Sequence, residues 1–353
     1  MSDQRQTPLG IAVALLFGFV VLIGISEFGA RVLFPQWNEF FSGHFMQVTP
    51  VPKHVDVLTG RPGFDGYFAQ NNGDFRVRIQ INDSGLRNID PIAAADGALW
   101  VIGDSMAFGW GVEQSEIYSS VIASVRSTPV YNVASPGSDV CGYQALAGRM
   151  PKQVKPKAVI LGLILENDVH HYNCKTRASQ TKTPESALPN SSLSLVEVKE
   201  MLTNHSALYN FVSSSLKKVG PIVSVLKAIG LIKQEHAYKL TFDEKQLDKL
   251  VESTALEIAR LKDMFRPDLP FAVLIAPARF EIRDNDPLFR RLREGMVKSL
   301  QARDISIIDP IEAFLKAGFQ PTHFAHDGHW TPLGHVIAGN AVGKWLAQTQ
   351  VPQ

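Results

Sequence analysis

The chain has 353 residues, a formal net charge of +1 and hydrophobic residues at 45% of its positions, enough for one substantial core with additions or for two small domains. A net charge so close to zero produces no long-range field that would gather nucleic acid, and the sequence has no basic run interleaved with aromatic residues. The composition therefore indicates an ordinary globular fold and excludes nucleic acid as an expected partner.

Residues 1–33 predict a membrane anchor. The stretch 8–25 contains no charged side chain and is dominated by aliphatic and aromatic residues. About 18 such residues meet the lower limit for a helix that spans a bilayer, whereas the apolar part of a secretion signal usually has about 7 to 15. A cleaved signal, with Gly24 and Ser26 as the small residues at the cleavage site, is the alternative. Both interpretations export the rest of the chain.

The predicted location is the inner membrane, with the chain after Glu27 in the periplasm or otherwise outside the cytoplasm. The flanking charges specify this orientation only weakly, because Arg5 precedes the apolar stretch and Arg31 follows it. Cys141 and Cys174 are the only cysteines. In an exported chain they form either one disulfide or two unrelated buried thiols, since spacing alone does not show that the geometry closes.

Residues 34–96 predict a small strand-rich lead-in. The segment is rich in Pro, Gly, Asn and aromatic residues, and apolar side chains alternate with polar ones over residues 75–81. An alternation of this kind is typical of a half-buried strand, and residues 82–85 then supply turn chemistry.

Residues 97–353 predict an α/β fold with a parallel central sheet. Short, continuously apolar runs alternate with amphipathic stretches, as a sheet covered on both faces requires. The predicted strands are residues 99–102, 130–133, 158–165, 271–275 and 305–308. The clearest helix is residues 243–265, whose apolar residues fall on one helical face before Pro267.

Residues 176–240 predict a helical insertion into this domain. A polar, Ser-rich stretch is followed by helical periodicity over residues 208–232, without the strand patterns of the neighbouring segments. Loops at the carboxyl ends of strands border the active sites of α/β folds. The insertion is therefore either part of a lid or acceptor groove, or a structural cap without substrate contact.

A serine follows the first strand of the predicted sheet. The strand 99–102 runs directly into Gly103, Asp104 and Ser105, so a hydroxyl lies at a strand's carboxyl end beside a residue without a side chain. The next helix can direct backbone N–H groups at a developing anion. Taken alone, the tripeptide Gly-Asp-Ser is common and is more often a helix cap than the turn of a nucleophile. Further segments that end strands or precede the last helix contain Gly137, Asn167, Asp327 and His329.

This combination resembles the SGNH (GDSL-like) hydrolase superfamily, whose motifs supply a nucleophilic Ser, a Gly backbone N–H, an Asn side chain and an Asp/His pair. The resemblance covers most of residues 99–175 and 271–347, and it implies a flavodoxin-like three-layer fold. The matching residues are Ser105, Gly137, Asn167, Asp327 and His329.

The closing motif departs from the commonest form of the family, in which two residues separate Asp from His. Here only Gly328 intervenes, and Trp330 and Thr331 follow. This spacing, together with the segment 81–88, resembles membrane-anchored SGNH proteins of alginate and related exopolysaccharide acetylation.

The resemblance implies acyl-ester chemistry through Ser105. His329 would accept the serine proton, and Asp327 would orient the imidazole. The backbone N–H groups of Ser105 and Gly137 and the side chain of Asn167 would form the oxyanion hole. No metal and no other cofactor is expected.

The implied function is a serine esterase or O-acyl (acetyl) transferase acting on acylated polysaccharide in the cell envelope. Its expected partners are an acylated glycan or other ester, the membrane, and envelope polysaccharide-assembly proteins. Hydrolysis and transfer differ in whether water or a sugar hydroxyl attacks the acyl-enzyme. Two alternatives stay open, namely a catalytically silent polysaccharide-binding scaffold and a lipid-directed esterase held near the bilayer.

Several residues near the motifs have two interpretations. Trp110 and Trp330 either stack on a sugar ring of the substrate or pack beside the catalytic loop. Asp168 either contacts substrate or holds a loop N–H. The histidines near the motifs either lie on the polar faces of loops or form a zinc site, although their spacing matches no fixed zinc pattern. These histidines are His170, His171, His323, His326 and His335, of which His335 is expected to pack within the final helix.

Overall fold

The computed structural model of the protein describes residues 8–70, 73–180, 195–216 and 246–349. The described residues form two compact units: residues up to 44 together with residues 195–216 make the smaller one, and the rest make the larger one. The predicted domain boundaries, 1–33, 34–96 and 97–353, divide the chain more finely and stay a prediction. Much of the predicted insertion 176–240 lies outside the described residues.

Two antiparallel hairpins open the larger unit. Strand β1 (Met46–Thr49) pairs with β2 (Val57–Gly60), and β3 (Asp65–Ala69) pairs with β4 (Arg76–Gln80). Val77 is buried while the flanking arginines of β4 are exposed, as the alternation in the sequence predicts.

A five-stranded parallel sheet follows, which confirms the predicted α/β fold. The strands in chain order are β5 (Leu99–Ile102), β6 (Val130–Asn132), β7 (Ala158–Ile164), β8 (Phe271–Ala276) and β9 (Ser306–Ile308), and their order across the sheet is β6-β5-β7-β8-β9.

Both faces of the sheet are covered by helices, which explains the continuously apolar strands. Trp100 and Ile102 of β5 contribute to one hydrophobic cluster, and Leu99 and Val101 to the other. The first face is covered by the helices Val140–Gly148, Leu247–Lys262 and Pro287–Gln301, and the second by Tyr118–Arg126 and Pro332–Gln348. The other described helices of this unit are Ser105–Phe108, Cys174–Gln180, Arg279–Asp284, Ile311–Ala317 and Phe319–Thr322.

The smaller unit is built on the helix Pro8–Leu33. Its segment Gly10–Leu33 has a mean hydropathy of 2.5 and no buried residue in its most apolar part, so it is long and apolar enough to cross a membrane. A secretion signal would meet the same description.

Two helices of the predicted insertion, Leu195–His205 and Ala207–Leu216, belong to this unit; the second packs against the N-terminal helix, and Arg31 of that helix donates to His205 O at 2.6 Å. The Glu27 carboxylate accepts the backbone N–H groups of Ala207 and Leu208, each at 2.9 Å, which places a negative charge at a helix N-terminus. Within the same unit the rings of Phe34 and Phe211 stack, with centroids 4.8 Å apart.

Candidate active site

The nucleophile candidate lies where β5 ends. Asp104 caps the short helix that follows, and its Oδ1 accepts the Met106 N–H at 2.9 Å. A Cβ on Gly103 would lie 2.6 Å from the Cβ of Ala107, so only glycine allows the helix to begin this close to the strand. The turn leaves Ser105 half-buried at the carboxyl end of the strand.

Ser105, His329 and Asp327 form one hydrogen-bonded chain. Ser105 Oγ lies 2.8 Å from His329 Nε2, although the two residues are 224 positions apart in the sequence. His329 Nδ1 is hydrogen-bonded to Asp327 Oδ1. A carboxylate at Nδ1 fixes the tautomer in which Nδ1 carries the proton and Nε2 is free to accept one. The order of groups therefore matches a nucleophile, a base and a group that orients the base.

Asp327 is held in its ionised form. Burial by itself would raise the pKa of this carboxyl group, but the hydrogen bond and charge of His329, together with the charge of Arg279, outweigh burial and lower it. An ionised Asp327 stabilises the imidazolium that forms when His329 takes a proton.

The loop that presents Asp327 and His329 depends on Gly328. This glycine has φ +81°, and a Cβ there would lie 1.9 Å from Arg279 Nη1. Arg279 is itself held by Glu166, through Nε to Oε2 at 2.7 Å and the backbone N–H to Oε1 at 2.5 Å. Gly328 is the one residue between Asp327 and His329. The guanidinium group of Arg279 packs against it and so supports this short spacing.

The predicted oxyanion donors follow neighbouring strands. The loop after β6 is tied to the nucleophile's turn by the Ser135 N–H, which donates to Gly103 O at 3.0 Å, and Gly137 is exposed there with φ +73°. Asn167 is exposed after β7, and its side chain is close enough to the Asp104 carboxyl group to lower the pKa of that group. The oxyanion role of these residues stays a prediction.

The two predicted tryptophans differ in accessibility. Trp110 is half-buried, and its ring centroid lies 5.9 Å from that of His329, so it flanks the site. Trp330 is 1% exposed and packs against Phe314 and Tyr118. The prediction that Trp330 contacts substrate is therefore corrected to packing behind the catalytic loop.

Asp168 is also corrected to a structural residue. Its side chain is 0% exposed, and its Oδ2 accepts the Ile164 N–H at 2.7 Å and the Tyr143 hydroxyl at 2.8 Å. Burial raises the pKa of this carboxyl group well above its usual range, and the charge of Asp104 adds to the effect. Asp168 thus fixes the turn that presents Asn167 and does not reach a substrate.

The cysteines and two of the histidines near the motifs have structural surroundings. Cys141 and Cys174 are joined in a disulfide between two helices. Burial lowers the pKa of His323 and of His335 to about 3, so both imidazoles are neutral, and His335 packs within the final helix. Within the described ranges no group of three or more His, Cys, Asp or Glu side chains is arranged to hold a metal ion.

Three residues of the site have no counterpart in the sequence analysis. Arg279 follows β8, so the strand-end rule that located Ser105 and Asn167 would also have found it. Gln70 and Asp74 contact the loop of Asp327 from the second hairpin. No local pattern signals these two residues, because their role depends on a tertiary contact.

Burial of Asp104 predicts a pH-dependent stability. Burial raises the pKa of this carboxyl group to about 6, against the lowering effects of the Met106 N–H and the His329 charge. An unfolded aspartate has a pKa of about 3.9, so between about pH 4 and pH 6 the folded state binds more protons than the unfolded state. This group therefore makes the free energy of unfolding fall as pH rises through that window.

We expect Asp104→Asn to remove that dependence. Between about pH 4 and pH 7 the wild-type chain should lose about 3 kcal/mol relative to the variant, since each pKa unit corresponds to about 1.4 kcal/mol. Denaturant unfolding of both full-length proteins across this range measures the difference. Parallel pH profiles for the two proteins would contradict the assignment.

No protein-family model and no curated protein matches the sequence. Among solved structures, the chain is similar to a member of the lipolytic protein G-D-S-L family from Veillonella parvula, with 12% identity, TM-score 0.38, and 71% of this chain and 98% of that chain covered. A lipase/acylhydrolase from Enterococcus faecalis gives 12% identity and TM-score 0.39, with 71% and 96% covered.

A third similar structure is a carbohydrate esterase family 2 enzyme with a carbohydrate binding domain from Corynascus thermopiles (Myceliophthora fergusii), at 12% identity and TM-score 0.38, with 72% of this chain and 66% of that chain covered. Similarity at this level assigns no role to a residue, so the chemistry must follow from this chain's own side chains.

Proposed function

We propose that the chain is a serine ester hydrolase or O-acyl transferase that forms an acyl-enzyme on Ser105. The observation that supports this most directly is the hydrogen-bonded chain from Ser105 through His329 to Asp327. An unassisted serine hydroxyl is a weak nucleophile at neutral pH, and a base within hydrogen-bonding reach is what activates it.

The proposed reaction has two halves. Ser105 Oγ attacks the ester carbonyl carbon while its proton passes to His329 Nε2, and the imidazolium then protonates the departing alcohol oxygen. The acyl group is left as an ester on Ser105. An incoming hydroxyl compound then attacks that ester, gives its proton to His329, and the same proton returns to Ser105 as the new product leaves.

Developing negative charge on the carbonyl oxygen requires donors that are already in position. We assign this role to the backbone N–H groups of Ser105 and Gly137 and to the Asn167 side chain. Each is worth about 3 to 4 kcal/mol by analogy with removal of a single oxyanion donor. The influence of the Asn167 side chain on the pKa of Asp104, the residue before the nucleophile, supports the inclusion of Asn167.

An acylated polysaccharide of the cell envelope is the proposed substrate. The sequence motifs resemble those of SGNH proteins of exopolysaccharide acetylation, and Trp110 offers an aromatic surface beside His329 on which a sugar ring can stack. If water attacks the acyl-enzyme the activity is esterase, and if a sugar hydroxyl attacks it the activity is O-acetyl transfer.

Attachment to the inner membrane through the helix Pro8–Leu33, with the site in the periplasm, belongs to the same proposal. The length and apolar character of the segment Gly10–Leu33 support its retention as an anchor, because the apolar part of a secretion signal is usually shorter. The intact mass of the protein isolated from membranes tests this, since cleavage would remove the whole apolar stretch.

Labelling with a serine-directed fluorophosphonate tests the enzymatic function. We expect the folded, detergent-solubilised full-length chain to be labelled, with the modified peptide containing Ser105, because the probe reacts only with an activated serine. A folded sample that stays unlabelled would favour the alternative of a silent polysaccharide-binding scaffold.

A panel of acyl esters separates the glycan-directed enzyme from a lipid-directed esterase. We expect acetyl esters to be turned over and long-chain esters to be rejected. Preference for long chains would favour the lipid-directed alternative. Adding a polysaccharide acceptor then distinguishes transfer from hydrolysis, because transfer diverts acetyl groups from water to the glycan.

A further inference from the structure

The second hairpin, β3–β4, donates a hydrogen bond to Asp327, the aspartate of the triad Ser105–His329–Asp327. Gln70, which follows β3, donates from Nε2 to Asp327 Oδ2 at 2.6 Å. The other oxygen, Oδ1, is hydrogen-bonded to His329 Nδ1. Each oxygen of the carboxylate therefore has its own side-chain donor, and rotation of the carboxylate would break both bonds.

Asp74, a few residues farther along the hairpin, holds the backbone of the same loop. Its Oδ2 accepts the N–H groups of His326 at 3.1 Å and Asp327 at 2.9 Å. Its Oδ1 lies 2.7 Å from Nδ1 of the His326 ring. The main chain entering Asp327 is thus fixed from the same side as the Asp327 side chain.

Aromatic packing fixes the hairpin relative to the site. Phe75 contacts Phe324, in the chain just before the catalytic loop, with ring centroids 5.3 Å apart. Phe68 makes an edge contact with Trp110 at 4.6 Å, and Trp110 in turn flanks His329. The donors of Gln70 and the acceptors of Asp74 are therefore presented by a packed element.

We propose that Gln70 is a positioning residue of the reaction, and that Asp74 holds the main chain that leads into Asp327. Gln70 keeps Oδ1 of Asp327 directed at His329 and stabilises the ionised carboxylate without adding a charge. The hairpin β3–β4 of the lead-in is then part of the active site. The loops at the ends of the parallel strands do not form the whole site without it. This inference rests on the proposed acyl chemistry.

Gln70→Glu is the discriminating variant, because it keeps the side-chain size and replaces the donor with a second negative charge facing Asp327. We expect kcat to fall by about 10- to 100-fold with little change in KM, since small displacements of a catalytic group cost rates of this order. The acidic limb of the pH–rate profile should move to higher pH, because an added negative charge nearby stabilises the imidazolium.

Gln80→Glu is the matched control. Gln80 lies on the same hairpin and donates from Nε2 to an exposed aspartate, Asp65, at 3.3 Å. This variant adds the same charge facing the same kind of partner, but away from the triad, so kcat and the pH profile should not change. Equal effects of the two variants would overturn the proposal.

A readout without turnover keeps this proposal separate from the proposed function. In full-length protein labelled with 15N-histidine, the titration curve of the His329 imidazole should move to higher pH in Gln70→Glu and stay in place in Gln80→Glu. If the wild-type chain hydrolyses no ester while the curve moves, the acyl chemistry fails and the coupling of Gln70 to the triad stands.

Gln70→Met covers the case in which the glutamate variant does not fold. Methionine keeps an unbranched chain and removes the donor without adding a charge. We expect a fall in kcat of about 10-fold, the scale of losing a supporting hydrogen bond. A folded Gln70→Met protein with wild-type kcat would overturn the proposal.

Discussion

Replacement of Ser105 by alanine is expected to lower kcat for acyl esters by about 10⁶-fold, the scale seen when a nucleophile of this kind is removed. The variant loses the atom that forms the acyl-enzyme and keeps the donors and the substrate surface, so KM should change little. Because the triad acts as a unit, the double variant Ser105→Ala/His329→Ala should be no slower than the single one. Steady-state kinetics with an acetyl ester measure both.

Ser120→Ala is the control for this experiment. Ser120 also lies near the start of a helix, and its hydroxyl donates to Gln114 O at 2.6 Å, but it has no contact with the triad. We expect its activity to match that of the wild-type chain. Undiminished turnover in Ser105→Ala would remove Ser105 from the mechanism and the acyl-enzyme with it.

The sheet was predictable because burial on both faces leaves a strong signal in each strand. All five predicted strands of the parallel sheet are present, and their ends agree within one residue at each boundary. The helix predicted at 243–265 is observed over Leu247–Lys262. Strand order across the sheet was not predictable, since it depends on packing between segments distant in the chain.

The site was predictable to the extent that strand ends define it. Parallel strands bring their carboxyl ends to one edge, so Ser105 and Asn167 follow from the strand assignments alone. The sequence does not distinguish Trp110 from Trp330, because both flank catalytic motifs and only the fold decides which ring is buried. Gln70 is invisible for a similar reason, since its partner is 257 positions away.

The insertion illustrates a different limit. Helical periodicity predicts helices in residues 208–232, and the described part contains Ala207–Leu216. What the helix packs against is not encoded in its own periodicity. The capping of that helix by Glu27 links it to the N-terminal helix, which neither segment indicates by itself.

Gly328→Ala is expected to lower kcat/KM by about 10²- to 10⁴-fold, between the cost of a small misplacement and that of losing the triad aspartate. The new Cβ would lie 1.9 Å from Arg279 Nη1, at a residue with φ +81°. Nη1 is the end of a long side chain, but its movement disturbs the ion pair of Arg279 with Glu166. We therefore expect the loop to take up part of the displacement, so that Asp327 and His329 lose their alignment with the nucleophile.

Gly318→Ala separates the steric contact from the backbone strain. Gly318 has φ +84°, and the atom nearest to a Cβ added there is Pro321 Cδ at 3.9 Å. Alanine at this position therefore strains the backbone but causes no clash. Both variants should lose about 1 to 3 kcal/mol of stability, the range for a residue held in an unfavourable backbone conformation. Only Gly328→Ala should lose kcat/KM per folded molecule.

Adding Arg279→Ala to Gly328→Ala should restore part of the lost kcat/KM, because the space that the new methyl group needs is then free. If the two glycine variants lose activity equally, backbone strain alone explains the loss, and the guanidinium behind Gly328 does not set the position of His329.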